Sequence, residues 1–414
     1  MDIQNIYNMN MKKLKITLLT FLVSTIAIVA QINLPSVYPD RVILNLTESP
    51  STSVAVTWRT DVLVEEGYCE LQLASEGPVN SENSKTFKAK TTFTNHVYLD
   101  EPVIEANQHS FVFTDLTPDE KYLYRVGYGD YWSEWYEFKT PANEGEFSFI
   151  YLGDSQSDLK SQWSRVIRSA YRHAPDSEFI LFAGDLINRA GRDLEWHDWF
   201  YAGSFIYGML PQVMTPGNHE YKNMILDPHW NTHFSQPTNG VEGLEGTNFV
   251  IDHNNMKLII IDSGAESELR YKDGDKLEAQ KVWLDSVLQI NTKEWVIVST
   301  HVPLYSPKEN RDNKHIRDNF QPILEKYKVD LVLSGHDHSY GRGRYTDNPD
   351  NNHKVMYVVS VSGPKMYEAG DKDWMERSGA FKQLYQIISI DNNVLQFESF
   401  TTDGKLFDSF TLIK

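Results

Sequence analysis

The sequence predicts two architectures in series: a small all-β antiparallel sandwich, then a larger region of alternating strands and helices. Three observations carry this. Between Pro35 and about Ala142, short runs that alternate apolar and polar residues are cut by Gly, Pro, Asp and Asn turns. After TPANEGE the apolar runs become continuous in Ile, Leu and Val and are followed by helical patterns, as for strands buried on both faces by helices. Five of the later segments end abruptly in polar blocks rich in Asp, Asn or His.

The chain of 414 residues is long enough for two or three domains, and its 41% hydrophobic and 13% aromatic content is that of a globular protein. With 57 acidic against 39 basic residues its formal charge is −18, which disfavours partnership with nucleic acid backbones or anionic membranes. The first thirty residues read as a cleaved export signal: Lys12, Lys13 and Lys15 precede ITLLTFLVSTIAIVA, which ends in Ala30 before Gln31, with Met11 a possible start. That run is shorter than the roughly 20 residues that span a bilayer, so no stable membrane insertion is expected after cleavage and the mature chain is expected to be secreted or periplasmic. Cys69 is the single cysteine, which excludes an intrachain disulfide.

The first part supplies VAVTW, YCELQL, TFKAK, HSFVFTDL, YLYRVGY and WYEFKT as short strands. Within it, Leu116, Pro118 and Tyr122 in DLTPDEKYLYRVG resemble the turn and tyrosine corner of a fibronectin type III module, with Trp58 filling its core.

The second part reads as FSFIYLGD and the helix SQWSRVIRSAYRHA; EFILFAGD and the helix LEWHDWFYAGSFIYGML; QVMTPGNHE; a hairpin of NFVIDH and MKLIIIDS; the helix LEAQKVWLDSVLQI; EWVIVSTH; and DLVLSGHDH. The aromatic helix, with Trp196, Trp199, Phe200, Tyr201, Phe205 and Tyr207, is read chiefly as core, with a substrate wall as the other reading.

The polar blocks are Gly153-Asp154, Gly184-Asp185, Gly217-Asn218-His219-Glu220, His301 and Gly335-His336-Asp337-His338. Ligand sites form at the carboxyl ends of strands in open α/β sheets, so these blocks are candidates for one cleft. Glycine lets the backbone turn and approach closely. Carboxylate and amide oxygen with imidazole nitrogen suit Mn, Fe, Zn or a similar divalent ion, and the lack of cysteine ligands argues against structural zinc.

Taken together, these blocks resemble the calcineurin-like metallophosphoesterase superfamily, and with the preceding module the chain looks most like its purple acid phosphatase branch. The resemblance implies an α+β catalytic domain over 143–414, an α/β/β/α four-layer sandwich, preceded over 31–142 by an all-β fibronectin III-like sandwich. It also implies a dinuclear centre that hydrolyses phosphate monoesters by in-line attack of a metal-bound hydroxide. In it Asp154 would bind the first metal, Asp185 would bridge both, Asn218, His301 and His336 would bind the second, and His338 would return to the first. His219 would stabilise charge or donate the proton, and His315, in KENRDNKHIRD, is a weaker alternative.

Two positions depart from the pattern. Purple acid phosphatases place a tyrosine three residues after the bridging aspartate, where this chain has Asn188; other members place a histidine two residues after the first aspartate, where it has Gln156. A tyrosinate favours ferric iron and gives the purple colour, so its absence predicts a colourless centre of two divalent ions. Gln156 and Asn188 are each read either as amide ligands of the first metal or as hydrogen-bond partners around it. Tyr221, Tyr305 and Tyr340, beside the motifs, are read as cleft-lining or as packing residues. The altered first site keeps phosphodiesterase activity as an alternative, and an inactive surface-binding protein is the alternative of a different class. The charge and the absence of a basic aromatic groove argue against a nuclease.

Overall fold

The computed structural model describes residues 34–95, 103–264, 274–346 and 353–414; the export-signal reading of residues 1–30 falls outside them. Among the described residues no helix is long and apolar enough to cross a membrane.

Two sheets stack face to face at the centre of the second part. One carries the parallel strands Phe147–Leu152, Ile180–Phe182 and Gln212–Met214, extended on one side by the antiparallel Leu384–Asp391, Val394–Thr401 and Leu406–Ile413. The other runs in the order Phe249–His253, Met256–Ile261, Trp295–Thr300, Leu331–Ser334, Met356–Val359, Tyr340–Arg344 and Arg377–Gly379, with its four central strands parallel from Met256–Ile261 to Met356–Val359. The hairpin expected from NFVIDH and MKLIIIDS forms, with Phe249 opposite Ile260.

Strand alternation explains the continuous apolar runs. Phe149 and Tyr151 face the core between the sheets, whereas Ile150 and Leu152 face helices Ser164–His173 and Asp193–Gly203. Likewise Leu258 and Ile260 point between the sheets, and Ile259 and Ile261 point toward Gly274–Gln289 and Lys314–Lys326. Each fully buried side chain of this kind contributes about 1.5–3 kcal/mol. The result is the expected α/β/β/α four-layer sandwich. The aromatic helix is core at Trp196, Trp199, Phe200 and Tyr207, while Tyr201 and Phe205 are exposed; Ser204, at φ 40°, breaks it into Asp193–Gly203 and Phe205–Met209.

The N-terminal part is an all-β sandwich. Trp58, Cys69, Phe113, Tyr124 and Phe138 fill its core, and the Tyr122 hydroxyl accepts the Thr117 N–H at 2.8 Å, the corner contact foreshadowed by DLTPDEKY. Burial pushes the Cys69 thiol pKa well up, which makes it unreactive.

The sandwich is not a separate bead. Its strands Asp40–Leu46, Val54–Thr60, Ala106–Phe113 and Lys90–Thr94 continue the first sheet through a parallel bridge between Asn45 and Gln212, giving ten strands in all. Across the same junction Arg41 and Arg59 converge on Asp193, the first residue of Asp193–Gly203, at 2.8 and 3.4 Å. Both guanidinium groups are almost fully buried; Asp193 serves both, Asp40 also pairs with Arg59 at 2.6 Å, and these carboxylates make the burial tolerable.

Candidate metal centre

The parallel strands of both sheets deliver the polar blocks to one end of the sandwich. Asp154 follows Phe147–Leu152, Asp185 follows Ile180–Phe182, and Asn218 follows Gln212–Met214; His301 and His336 follow Trp295–Thr300 and Leu331–Ser334 of the facing sheet. Three of these residues, Asp154, Asp185 and His336, and also His338 two positions further on, have positive φ, between 49° and 74°. Backbone in this region costs of order 1–3 kcal/mol per non-glycine residue and is retained where the surroundings over-determine it, typically at functional sites. Gly184, at φ 89°, is required sterically as well, because a Cβ there would lie 2.6 Å from the His301 ring and 2.7 Å from the Gly217 backbone.

The side chains form two donor sets. Asp154, Asp185 and His338 make one, Asp185, His301 and His336 the other, and within each set the ligand atoms lie within 4.8 Å of one another. Asn218 joins the second set, its Oδ1 lying 3.2 Å from His301 Nε2 and 2.9 Å from His336 Nδ1. Asp185 is common to both, so one buried carboxylate stands where two cations would share it.

Surrounding contacts orient these groups. His301 Nδ1 donates to the Ala183 carbonyl at 2.7 Å and His338 Nδ1 to that of Lys365 at 3.0 Å, which leaves Nε2 of each as the ring nitrogen facing the carboxylates. The His336 main-chain N–H donates to Asp154 Oδ1 at 2.8 Å, and the His219 N–H to Asp185 Oδ1 at 2.9 Å.

The electrostatics favour cations. Burial pushes the Asp154 carboxyl well above its usual range, with the Asp185 charge adding to it. Burial works against the Asp185 charge too, yet His301, His219 and His336 hold its pKa well down. Burial also opposes the His301 imidazolium, but Asp185 and Asp154 raise its pKa to about 9. Burial lowers His338 to about 3 and takes His336 well down, so both imidazoles are neutral, as ligation requires. Oxygen and imidazole donors without sulfur, held in two sets that share a carboxylate, fit a pair of divalent ions.

Gln156 and Asn188 both contact groups around the donor sets. Gln156 Nε2 donates to Asp185 Oδ2 at 2.7 Å and its Oε1 accepts the Lys365 ammonium at 3.2 Å, so the carboxylate and the ammonium together fix the amide orientation. Asn188 acts through its main chain: its carbonyl accepts His219 Nδ1 at 2.5 Å, and its N–H donates to Glu195 at 2.7 Å.

Two of the tyrosine candidates, Tyr340 and Tyr305, are corrected. Tyr340 is buried with its hydroxyl on Asp408 at 2.7 Å: it opens the strand Tyr340–Arg344 and turns its ring into the core between the sheets. Tyr305 is buried against Tyr357 and Trp374, with its hydroxyl on Gln321 at 2.8 Å. Neither lines the cleft. His315 is exposed in the first turn of Lys314–Lys326 and belongs to neither donor set. Tyr221 is half-buried and donates its hydroxyl to Asp262 at 2.5 Å, leaving the ring edge as the part a ligand can meet.

Two supporting residues escaped the sequence reading. Glu220, fully buried at the end of the short turn Asn218–Glu220, accepts the N–H groups of Asp185, Leu186, Ile187 and Gly217 at 2.7 to 3.2 Å. It ties the Asp185 loop to the Asn218 loop. Lys365 arrives 27 residues after His338 on a loop without a motif, and its carbonyl contact with His338 and its ammonium contact with Gln156 reveal it.

A four-layer sandwich whose strand ends gather two oxygen-and-imidazole sets around one shared carboxylate defines the metallophosphoesterase class. The model of the purple acid phosphatase N-terminal domain matches residues 39–140, and that of the calcineurin-like phosphoesterases matches residues 147–340. The chain belongs to the calcineurin-like phosphoesterases, in the branch that carries the purple acid phosphatase N-terminal domain.

Purple acid phosphatase 1 of Ipomoea batatas is 28% identical over 322 residues, 70% of this chain and 64% of the relative, so the chain spans somewhat less than two thirds of that protein. Acid phosphatase type 7 of Homo sapiens is 25% identical over 87% of this chain and 84% of its own length. The structure of purple acid phosphatase PPD1 from yellow lupin (Lupinus luteus) seeds superposes with a TM-score of 0.74 at 18% identity, covering 91% of this chain and 74% of the other, which is likeness of fold.

Proposed function

We propose that the chain is an exported hydrolase of phosphate monoesters that works through two divalent ions. Asp154, Asp185 and His338 would hold one, and Asp185, Asn218, His301 and His336 the other. The observation that carries the reading is the membership of Asp185 in both donor sets. When bound, such an ion pair acidifies water and neutralises charge on the phosphoryl oxygens during in-line displacement.

The protein's own groups supply the rest. His219 is tied through Nδ1 to the Asn188 carbonyl, so its Nε2, 3.9 Å from Asp185 Oδ2, is the ring nitrogen left to exchange a proton with a leaving oxygen. Its side chain is 25% exposed, against 2% or less for Asp154, Asp185, His301 and His338, and so stands toward the open side of the centre. Gln156 and Glu220 keep Asp185 and its loop in place so that the ligand atoms need not reorganise.

Hydrolysis of 4-nitrophenyl phosphate and of bis(4-nitrophenyl) phosphate by the metal-replete protein tests the reading. A higher kcat/KM on the monoester supports it; preference for the diester would make the protein a phosphodiesterase, and hydrolysis of neither would refute both.

A further inference from the structure

Beside His338 the chain builds a feature that the metal centre does not use. The Tyr367 ring meets the His338 imidazole edge-on with centroids 4.8 Å apart, and the Tyr367 N–H donates to the His338 carbonyl at 2.9 Å. Two ammonium groups attend this ring, Lys308 Nζ at 3.9 Å and Lys365 Nζ at 6.0 Å from its centroid. Lys365 also touches Gln156, which in turn touches Asp185, so one of the two cations is a single side chain away from the shared carboxylate.

The two loops that carry these lysines are fastened together. Lys308 and Ala369 form a β-bridge, and the Gly370 N–H donates to the Pro307 carbonyl at 2.7 Å. Lys308, Lys365 and Tyr367 are each half-buried.

The charges here are not balanced. Among the described residues neither Lys308 nor Lys365 forms an ion pair. The buried carboxylate between the candidate ligands, Asp337, is already taken by Arg311. Glu309 and Glu368 on the same loops are exposed and pair with neither ammonium. Burial, and then the neighbouring Arg311, lower the Lys308 pKa, with Lys365 pushing the same way and Asp337 opposing them. Half-buried cations beside like charges, in a chain of net charge −18, call for an anion from outside.

We propose that Lys308 and Lys365, arranged about Tyr367, form a specificity subsite for a second anionic group of the substrate, a carboxylate or further phosphate lying beyond the scissile phosphoryl group. This rests on the phosphoesterase reading above. The two ammonium groups would donate charge-assisted hydrogen bonds to that group, and their long stems let one subsite serve anions at somewhat different reach.

Phosphoglycolate and ethyl phosphate, which differ by a carboxylate in place of a methyl, provide the test. The wild-type protein is expected to favour phosphoglycolate in kcat/KM by ~10-fold, the worth of one charge-assisted hydrogen bond. Lys308→Met is expected to lower that ratio severalfold and Lys308→Arg to keep it; a ratio unchanged in Lys308→Met overturns the proposal. Calorimetric titration of the metal-loaded protein with phosphonoacetate and with ethylphosphonate reads the same subsite without turnover. Equal affinity for the two in the wild type also overturns it, whereas absence of hydrolysis together with a Lys308-dependent preference for phosphonoacetate would count against the phosphoesterase reading alone.

Discussion

His219 Nδ1 lies 2.5 Å from the main-chain carbonyl of Asn188. The residue standing where the purple enzymes keep a tyrosine therefore serves the site through its backbone, and that backbone is itself held by Glu195, which accepts the N–H groups of Asn188 and Arg189 at 2.7 and 3.0 Å.

Removing the Asn188 side chain should accordingly matter little. Asn188→Ala is expected to keep kcat within about twofold, as for substitutions that remove no contact. Glu195→Ala, which frees the loop, should lower kcat by ~10-fold or more with KM little changed, an effect of the size seen when partners of a site's working groups are removed. Steady-state kinetics on 4-nitrophenyl phosphate distinguish the two variants, and a large defect in Asn188→Ala would show that its amide works at the centre.

The centre should be colourless. Iron-loaded wild-type protein is expected to lack the visible charge-transfer band of a tyrosinate bound to ferric iron, because position 188 carries an asparagine, which has no phenolate to offer. Absorption spectra before and after iron loading check this.

Glu220→Gln should weaken the centre without unfolding the chain. Four N–H groups converge on the carboxylate, and an amide would turn its own N–H₂ toward one pair of them. Metal affinity or kcat is expected to fall about 10–100-fold, with the circular dichroism spectrum preserved.

The N-terminal sandwich should make the protein acid-sensitive. His109 is buried, stacked on Trp58 at 5.1 Å and hydrogen-bonded to Thr60 and Thr91, and burial lowers its pKa from 6.5 to about 4. Its folded-state pKa lies below the unfolded value, so its stabilising contribution is complete above 6.5 and is lost as pH falls toward about 4, by up to about 1.4 kcal/mol per unit. Urea-denaturation midpoints measured across that window should fall more steeply in the wild type than in His109→Gln.

The sequence displayed the parts whose logic is local. Buried strands are runs of Ile, Leu and Val because both faces are covered, and each run stops where Asp154, Asp185 or His301 must leave the sheet. Relationships set by the third dimension were hidden. Adjacency to a motif does not say which face a residue takes, and Tyr340 turns into the core for that reason. Glu220 stands inside a motif, but only the short turn Asn218–Glu220 shows that it reaches back to Asp185. Lys365 carries no local signal at all. The fusion of sandwich and catalytic sheet depends on Asn45 meeting Gln212, a contact between distant segments that no periodicity predicts.

The shared carboxylate is the centre of the account, and metal content tests it most directly. After reconstitution and removal of free metal, the wild-type protein should retain two ions per chain, one for each donor set, whereas Asp185→Ala, folded by circular dichroism, should retain fewer than one. A wild type that holds one ion or none, or an Asp185→Ala variant that keeps both, would contradict it.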